Sequence, residues 1–197
     1  MTTSKSWALV VTGYGILAVA MLVFLTINGL SSTAAGTVAT ASLLVLGLVL
    51  PAAGMLELAR HRQPPQGTPR KGLVLQALSL IGLVIGFVLS FAASSTSGYL
   101  VSGVFIVLAG AAGVAGAIFI AQEARARPLV AGAALIALGA VLIPASNIAL
   151  LAGWLLDLDK NIYEDIGATL AGCGCVVAAY SFFVLRRRAK APAVSPS

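Results

Sequence analysis

Charged side chains are scarce in this chain. Asp, Glu, Lys and Arg make up 9% of its 197 residues, whereas soluble domains carry roughly 25%. Hydrophobic residues reach 59%, and the mean hydropathy is +1.03. A water-soluble fold could not cover so much apolar surface with so few polar groups, so the expected solvent is a lipid bilayer.

Histidine and cysteine are also rare, which removes most metal and cofactor chemistry. His61 is the only histidine, so bis-histidine haem, copper centres and HExxH zinc sites are excluded on ligand count. Cys173 and Cys175 are separated by about 200° around a helix, so one ion cannot easily be held by both. Phosphate-binding glycine motifs are missing too. The sequence therefore predicts no cofactor, no metal site and no enzyme activity.

Six apolar stretches are long enough to cross a membrane, which takes about 20 residues. They cover residues 7–28, 37–59, 72–92, 98–121, 128–153 and 166–185. Each should be helical, because lipid offers no partner for backbone polar groups. The prediction is an all-α integral membrane protein with one domain over residues 1–186, followed by a basic, disordered cytoplasmic tail over 187–197. The first span is expected to stay uncleaved because it is longer than a signal-peptide core, with cleavage to five spans as the alternative.

Basic residues are strongly one-sided, which predicts the orientation in the membrane. Eleven of the twelve fall at the same ends of the predicted spans: Lys5, Arg60, Arg62, Arg70, Lys71, Arg125, Arg127, Arg186, Arg187, Arg188 and Lys190. Only Lys160 lies on the other side. We therefore expect a multi-pass protein of the plasma membrane with both termini in the cytoplasm. These charges face lipid headgroups in this interpretation, so no nucleic-acid partner is expected.

Aromatic rings at span ends agree with these boundaries, because amphipathic rings favour the headgroup level. Trp7 falls at a basic end, and Tyr99, Trp154 and Tyr163 fall at the opposite ends.

An internal repeat is suggested by the spacing of the spans. Spans one and four begin near 7 and 98, spans two and five near 37 and 128, and spans three and six near 72 and 166. Leu46-Gly47 corresponds to Leu138-Gly139, and Thr12-Gly13 to Ser102-Gly103. Two halves of three helices would insert with opposite topology, which is a common plan in transporters. Chance similarity between segments rich in Ala, Leu and Gly is the alternative.

Two prolines lie inside spans and predict kinks, because each removes a helical hydrogen bond. They are Pro51 in span two and Pro144 in span five. Ser146 and Asn147 follow Pro144 within one turn. This polar group could contact a substrate, but hydrogen bonding between helices at the kink is the favoured interpretation.

Two further polar residues lie near the basic end of the spans. Glu57 precedes Arg60 by three residues and His61 by four, so an ion pair at the helix end is favoured over a proton-coupling acid. Gln76 in span three should lie at similar depth, and a hydrogen bond to Glu57 is expected. Both residues belong to the candidate polar site together with the kink residues.

The link between spans five and six is acidic. Asp157, Asp159 and Asn161 match the first ligands of a calcium loop. Ile162 and Ala168 stand where such a loop needs Gly and Glu, so the match fails at the turn and at the bidentate ligand. A solvated acidic loop is the favoured interpretation.

Two classes of function remain open. The first is a non-catalytic accessory or structural subunit that packs with other membrane chains. It is favoured by glycines in spans three and four that permit close helix approach, within one chain or between chains. The second is a small facilitative transporter or channel with its site near kinked helices two and five. A polar cavity near the two prolines would favour transport, whereas a solid apolar interior would favour the subunit.

Overall fold

The computed structural model describes residues 3–30, 34–61, 68–154 and 157–190. Within these residues the chain forms six α-helices: α1 (Thr3–Leu30), α2 (Ala34–Arg60), α3 (Arg70–Ala92), α4 (Thr96–Ala124), α5 (Arg127–Leu151) and α6 (Asp157–Lys190). All six contain a segment of 19 to 29 residues that is long and apolar enough to cross a membrane. The predicted all-helical, six-span class is confirmed, and it indicates a multi-pass membrane protein.

The break that divides the long uncharged stretch lies where the sequence predicted it. The α3 helix ends at Ala92, and α4 begins at Thr96. Ser95 caps α4, since its hydroxyl accepts a hydrogen bond from the Gly98 amide at 3.3 Å. A serine cap satisfies one of the amide groups left free at a helix start.

The α6 helix is longer than predicted at both ends. It begins at Asp157, so residues 157–165 are helical and the predicted acidic loop was wrong. A helical backbone cannot wrap an ion as a calcium loop does. Acidic residues in the first turn favour a helix start, because they face the positive end of its dipole. At the other end α6 continues through Lys190, four residues into the predicted tail, and residues 191–197 lie outside the described part.

The helices form a closed ring in chain order. Each helix packs against its sequence neighbours, and α6 returns to pack against α1. The core fills the inside of this ring and draws its largest buried side chains from all six helices: Tyr14, Leu17, Leu48, Met55, Leu58, Leu73, Leu83, Ile106, Ile120, Leu129 and Phe182. The outward faces carry large exposed apolar side chains, as lipid-facing surfaces do.

Glycines bring neighbouring helices together within the chain. A Cβ at Gly82 or Gly86 of α3 would lie within 3 Å of α4 side chains, and a Cβ at Gly110 would lie 2.8 Å from Ala137 of α5. The glycine faces of spans three and four are therefore occupied by their own neighbours. The sequence could not distinguish this use from contact with another chain.

The α5 and α6 helices approach each other closely through two glycine pairs. A Cβ at Gly132 would lie 2.9 Å from the carbonyl oxygen of Gly174, and one at Gly174 would lie 2.6 Å from that of Gly132. Gly139 and Gly167 form the second pair, again with each residue against the other's carbonyl oxygen. Both pairs are seven residues apart on each helix, so the two backbones stay in contact over two turns.

Candidate functional site

A buried hydrogen-bonded group crosses the inside of the ring. The Tyr14 hydroxyl on α1 donates to Gln76 Oε1 on α3 at 3.2 Å. Gln76 Nε2 in turn donates to the carbonyl oxygen of Gly113 on α4 at 2.6 Å. Tyr14 is 1% exposed and Gln76 is 3% exposed. Three helices are thus joined by polar contacts inside an otherwise apolar core, where an unpaired amide would be costly.

Aromatic rings cover this group. Tyr14 stacks on Phe182 of α6, with ring centroids 5.7 Å apart and planes at 13°. Trp7 packs against the same phenylalanine at 6.2 Å. Trp7 is 2% exposed, so its ring packs inside the bundle near the start of α1 and not on the outer surface. The phenylalanine ring on α6 provides an apolar surface that the sequence of α1 alone could not reveal.

A small cavity adjoins Tyr14 and Gln76. It has room for about one water molecule. Ser79 and Gly110 contribute to its wall, together with apolar side chains of α3 and α5. The space at this level suits one bound water and is too small for a solute.

The α2 residues predicted for the polar site are engaged with their neighbours. Pro51 is buried, and its ring lies directly against Gly13 of α1, where any Cβ would overlap it. Glu57 Oε2 lies 3.8 Å from Arg60 Nη1, so the two form an ion pair across one helical turn. Gln76 binds Tyr14 and Gly113 rather than the expected Glu57. It faces the inside of the ring, whereas Glu57 lies partly exposed near the end of α2.

The α5 residues predicted for the site come together near the opposite end of the bundle. Ser146 Oγ and Asn147 Nδ2 both donate to the carbonyl oxygen of Ile143, at 2.8 and 2.9 Å. Asn147 Nδ2 also donates to Glu164 Oε1 of α6 at 3.0 Å. The segment of α5 that follows Pro144 is therefore tied to α6 by an amide–carboxylate hydrogen bond. This arrangement is the interhelical hydrogen bonding that the sequence favoured for these residues.

Sequence reasoning missed Tyr14 and Glu164 as members of these groups. Glu164 is only 9% exposed, although it had been assigned to a solvated loop. Glu164 lies on the same face of α6 as Gly167 and Gly174, which is the face that meets α5. This spacing could have indicated that the Glu164 side chain points toward α5. No comparable signal marked Tyr14, because a helix that is apolar on every side does not reveal which face turns inward.

The predicted topology determinants include a group of arginines gathered at one end of the fold. Arg188 Nη1 of α6 donates to the carbonyl oxygen of Ala124, the last residue of α4, at 2.9 Å. The Arg187 guanidinium lies 4.5 Å from the centre of the Phe183 ring. Arg125 follows Ala124 with a left-handed backbone at φ 54°. Arg186 is half-buried on α6, and the other predicted determinants at described positions are exposed on their helices or links: Arg60, Arg70, Lys71 and Arg127. Arg62 lies outside the described residues.

Comparison of the chain with protein-family models, with curated proteins and with solved structures finds no match.

Proposed function

We propose that this chain is a non-catalytic membrane protein that serves as an accessory or structural subunit packing with other membrane chains. The filled interior carries the proposal. The predicted kink residues contact glycine or carboxylate neighbours, and the cavity beside Gln76 holds about one water. The described residues at these levels are engaged with one another, which leaves the outer apolar surface for contact with other chains.

Purification from native membranes in mild detergent tests this proposal. We expect a tagged chain to retain at least one other membrane protein in a fixed ratio, identified by mass spectrometry. A parallel purification from cells that lack the tagged chain controls for adhering proteins. A strictly monomeric chain without a retained partner would contradict the subunit proposal.

A small facilitator is the second candidate, and one observation favours it. Pro51 lies against Gly13, and a Cβ at Gly103 would lie 3.9 Å from the Pro144 ring. Each kinked helix thus meets a glycine of the helix before it, in both halves of the chain. Paired kinks of this kind suit helices that bend during transport. A monomer without partners would make this candidate the stronger one.

The same pairing supports the proposed inverted repeat of three helices each. Gly13 and Gly103 are residues that correspond in the two halves, and so are Pro51 and Pro144. Each helix of the ring packs against the helix before it and the helix after it, so the contacts of α1, α2 and α3 correspond to those of α4, α5 and α6. An inverted repeat requires α1 and α4 to begin on opposite sides of the membrane.

For orientation, we propose that the basic end faces the cytoplasm, with both termini there, in the plasma membrane. The charge distribution of the sequence supports this. A reporter active only outside the cytoplasm should be silent when fused after Ser197 and active when inserted at Ser95 in the link between α3 and α4. Activity after Ser197 would reverse the orientation, and equal results at both positions would also contradict the inverted repeat.

A further inference from the structure

We propose that the arginines around the link between α4 and α5 form a binding site for the phosphate group of an anionic phospholipid. Arg125 lies in this short link, Arg127 begins α5, and Arg188 of α6 reaches the link through the Ala124 carbonyl. We refer to these three residues as the arginine cluster. The site does not depend on the subunit proposal, because a lipid can bind whether or not a protein partner does.

The cluster is formed by the fold and not by the sequence alone. Arg188 is 64 positions after Ala124 in the chain, and its hydrogen bond to the Ala124 carbonyl brings it to the link that carries Arg125 and Arg127. This bond uses one nitrogen of the Arg188 guanidinium, which has further donors available. A phosphate near Ala124 would therefore be reached from α4, α5 and α6 at once.

Within the described residues the cluster has no carboxylate partner. None of its three arginines forms an ion pair there. Glu123 is the nearest acid in sequence to Arg125, and it is exposed. Like charges held close together repel one another, so an anion from outside the chain would lower the energy of this end.

Arg125 adds an independent reason to expect a role for its side chain. Its backbone has φ 54°, the left-handed conformation that usually belongs to glycine at a helix end. A residue with a Cβ is strained there, and glycine would remove the strain. An arginine at this position has no benefit for the backbone, and its side chain is exposed at the end of α4.

The surroundings favour a lipid over a soluble anion. The α4 helix exposes Ile118 and Phe119 to the outside within about two turns of the link. The arginines thus stand where apolar, lipid-facing helix surface ends, which is the level of the phosphates in a bilayer. Guanidinium groups bind phosphate oxygens through paired hydrogen bonds.

Lipid titration of the purified chain tests the site. Native mass spectrometry in detergent would compare phosphatidylglycerol with phosphatidylcholine at equal concentrations. We expect tighter binding of phosphatidylglycerol, weakened about five-fold by Arg125→Gly and about five-fold by Arg127→Gln. Arg125→Gly should keep or raise the melting temperature in phosphatidylcholine because it relieves the strained backbone, so weaker lipid binding could not be attributed to misfolding.

Lys5→Gln is the matched control, since it removes one exposed positive charge from the start of α1, a helix that packs mainly against α2 and α6 and not against the α4–α5 link. It should leave phosphatidylglycerol binding unchanged. Equal binding of the two lipids by the native chain would overturn the proposal. So would an equal loss in Lys5→Gln, which would indicate diffuse surface charge. Inorganic phosphate would also be added at the same concentration as the lipid. If it fully displaced the lipid, the site would be one for a free anion instead.

Discussion

Gly139→Ala is expected to destabilise the bundle by about 2–3 kcal/mol, the largest effect we predict for adding a single methyl group. The new Cβ would overlap the carbonyl oxygen of Gly167 and would lie 2.7 Å from the amide nitrogen of Ala171. Both are backbone atoms, so no side chain can rotate away and the two helices must separate. Unfolding of the purified chain by increasing amounts of a denaturing detergent measures the loss.

Gly15→Ala provides the matched control because the chemical change is the same. A Cβ at Gly15 has open space around it, with no other atom within 4 Å. This variant should be neutral or more stable by up to about 1 kcal/mol, since alanine loses less backbone freedom than glycine in a helix. Equal stability of the two variants would show that α5 and α6 are not held together by their glycine pairs.

Gln76→Leu is expected to cost about 1–3 kcal/mol. Hydrogen bonds between membrane helices average about 0.6 kcal/mol and reach about 1.7, and this substitution removes two of them. It also leaves the buried Tyr14 hydroxyl without its acceptor. Tyr14→Phe should cost less, at about 1 kcal/mol or below, because the ring keeps its stacking on Phe182. The same unfolding titration measures both variants.

The double variant separates packing from hydrogen bonding. When both residues are replaced, no hydroxyl remains unpaired, so the cost should be smaller than the sum of the single costs. Strict additivity would mean that Tyr14 and Gln76 stabilise the fold independently and that the 3.2 Å hydrogen bond between them contributes nothing measurable.

The number and type of the helices could be predicted because a bilayer imposes a length and an apolar composition on every span. The turn before α4 could be predicted too, since Ser94 to Gly98 are small and polar. The start of α6 could not. Its acidic residues are equally compatible with a solvated loop and with the first turns of a helix. Hydropathy detects where a span is apolar but does not detect a helix that extends beyond the apolar part.

The contacts inside the ring were harder to predict than its helices. Polar residues such as Gln76 and Asn147 were recognisable, because polar groups in a span must find partners. Their partners were not, because the sequence does not give the rotation of each helix about its axis when every face is apolar. Glu57 was therefore expected beside Gln76, whereas the structure has Tyr14 there.

The order of packing around the ring has a consequence for synthesis of the protein. Five of the six interfaces form between helices that follow one another in the chain, so they can assemble as translation proceeds. The sixth, between α1 and α6, must wait for the last helix. Until then the ring of helices is open at α1. The side chains of Trp7 and Tyr14 are then exposed at its edge, because Phe182 is not yet packed against them. A chain that stops before α6 would therefore expose that edge to degradation by membrane quality control.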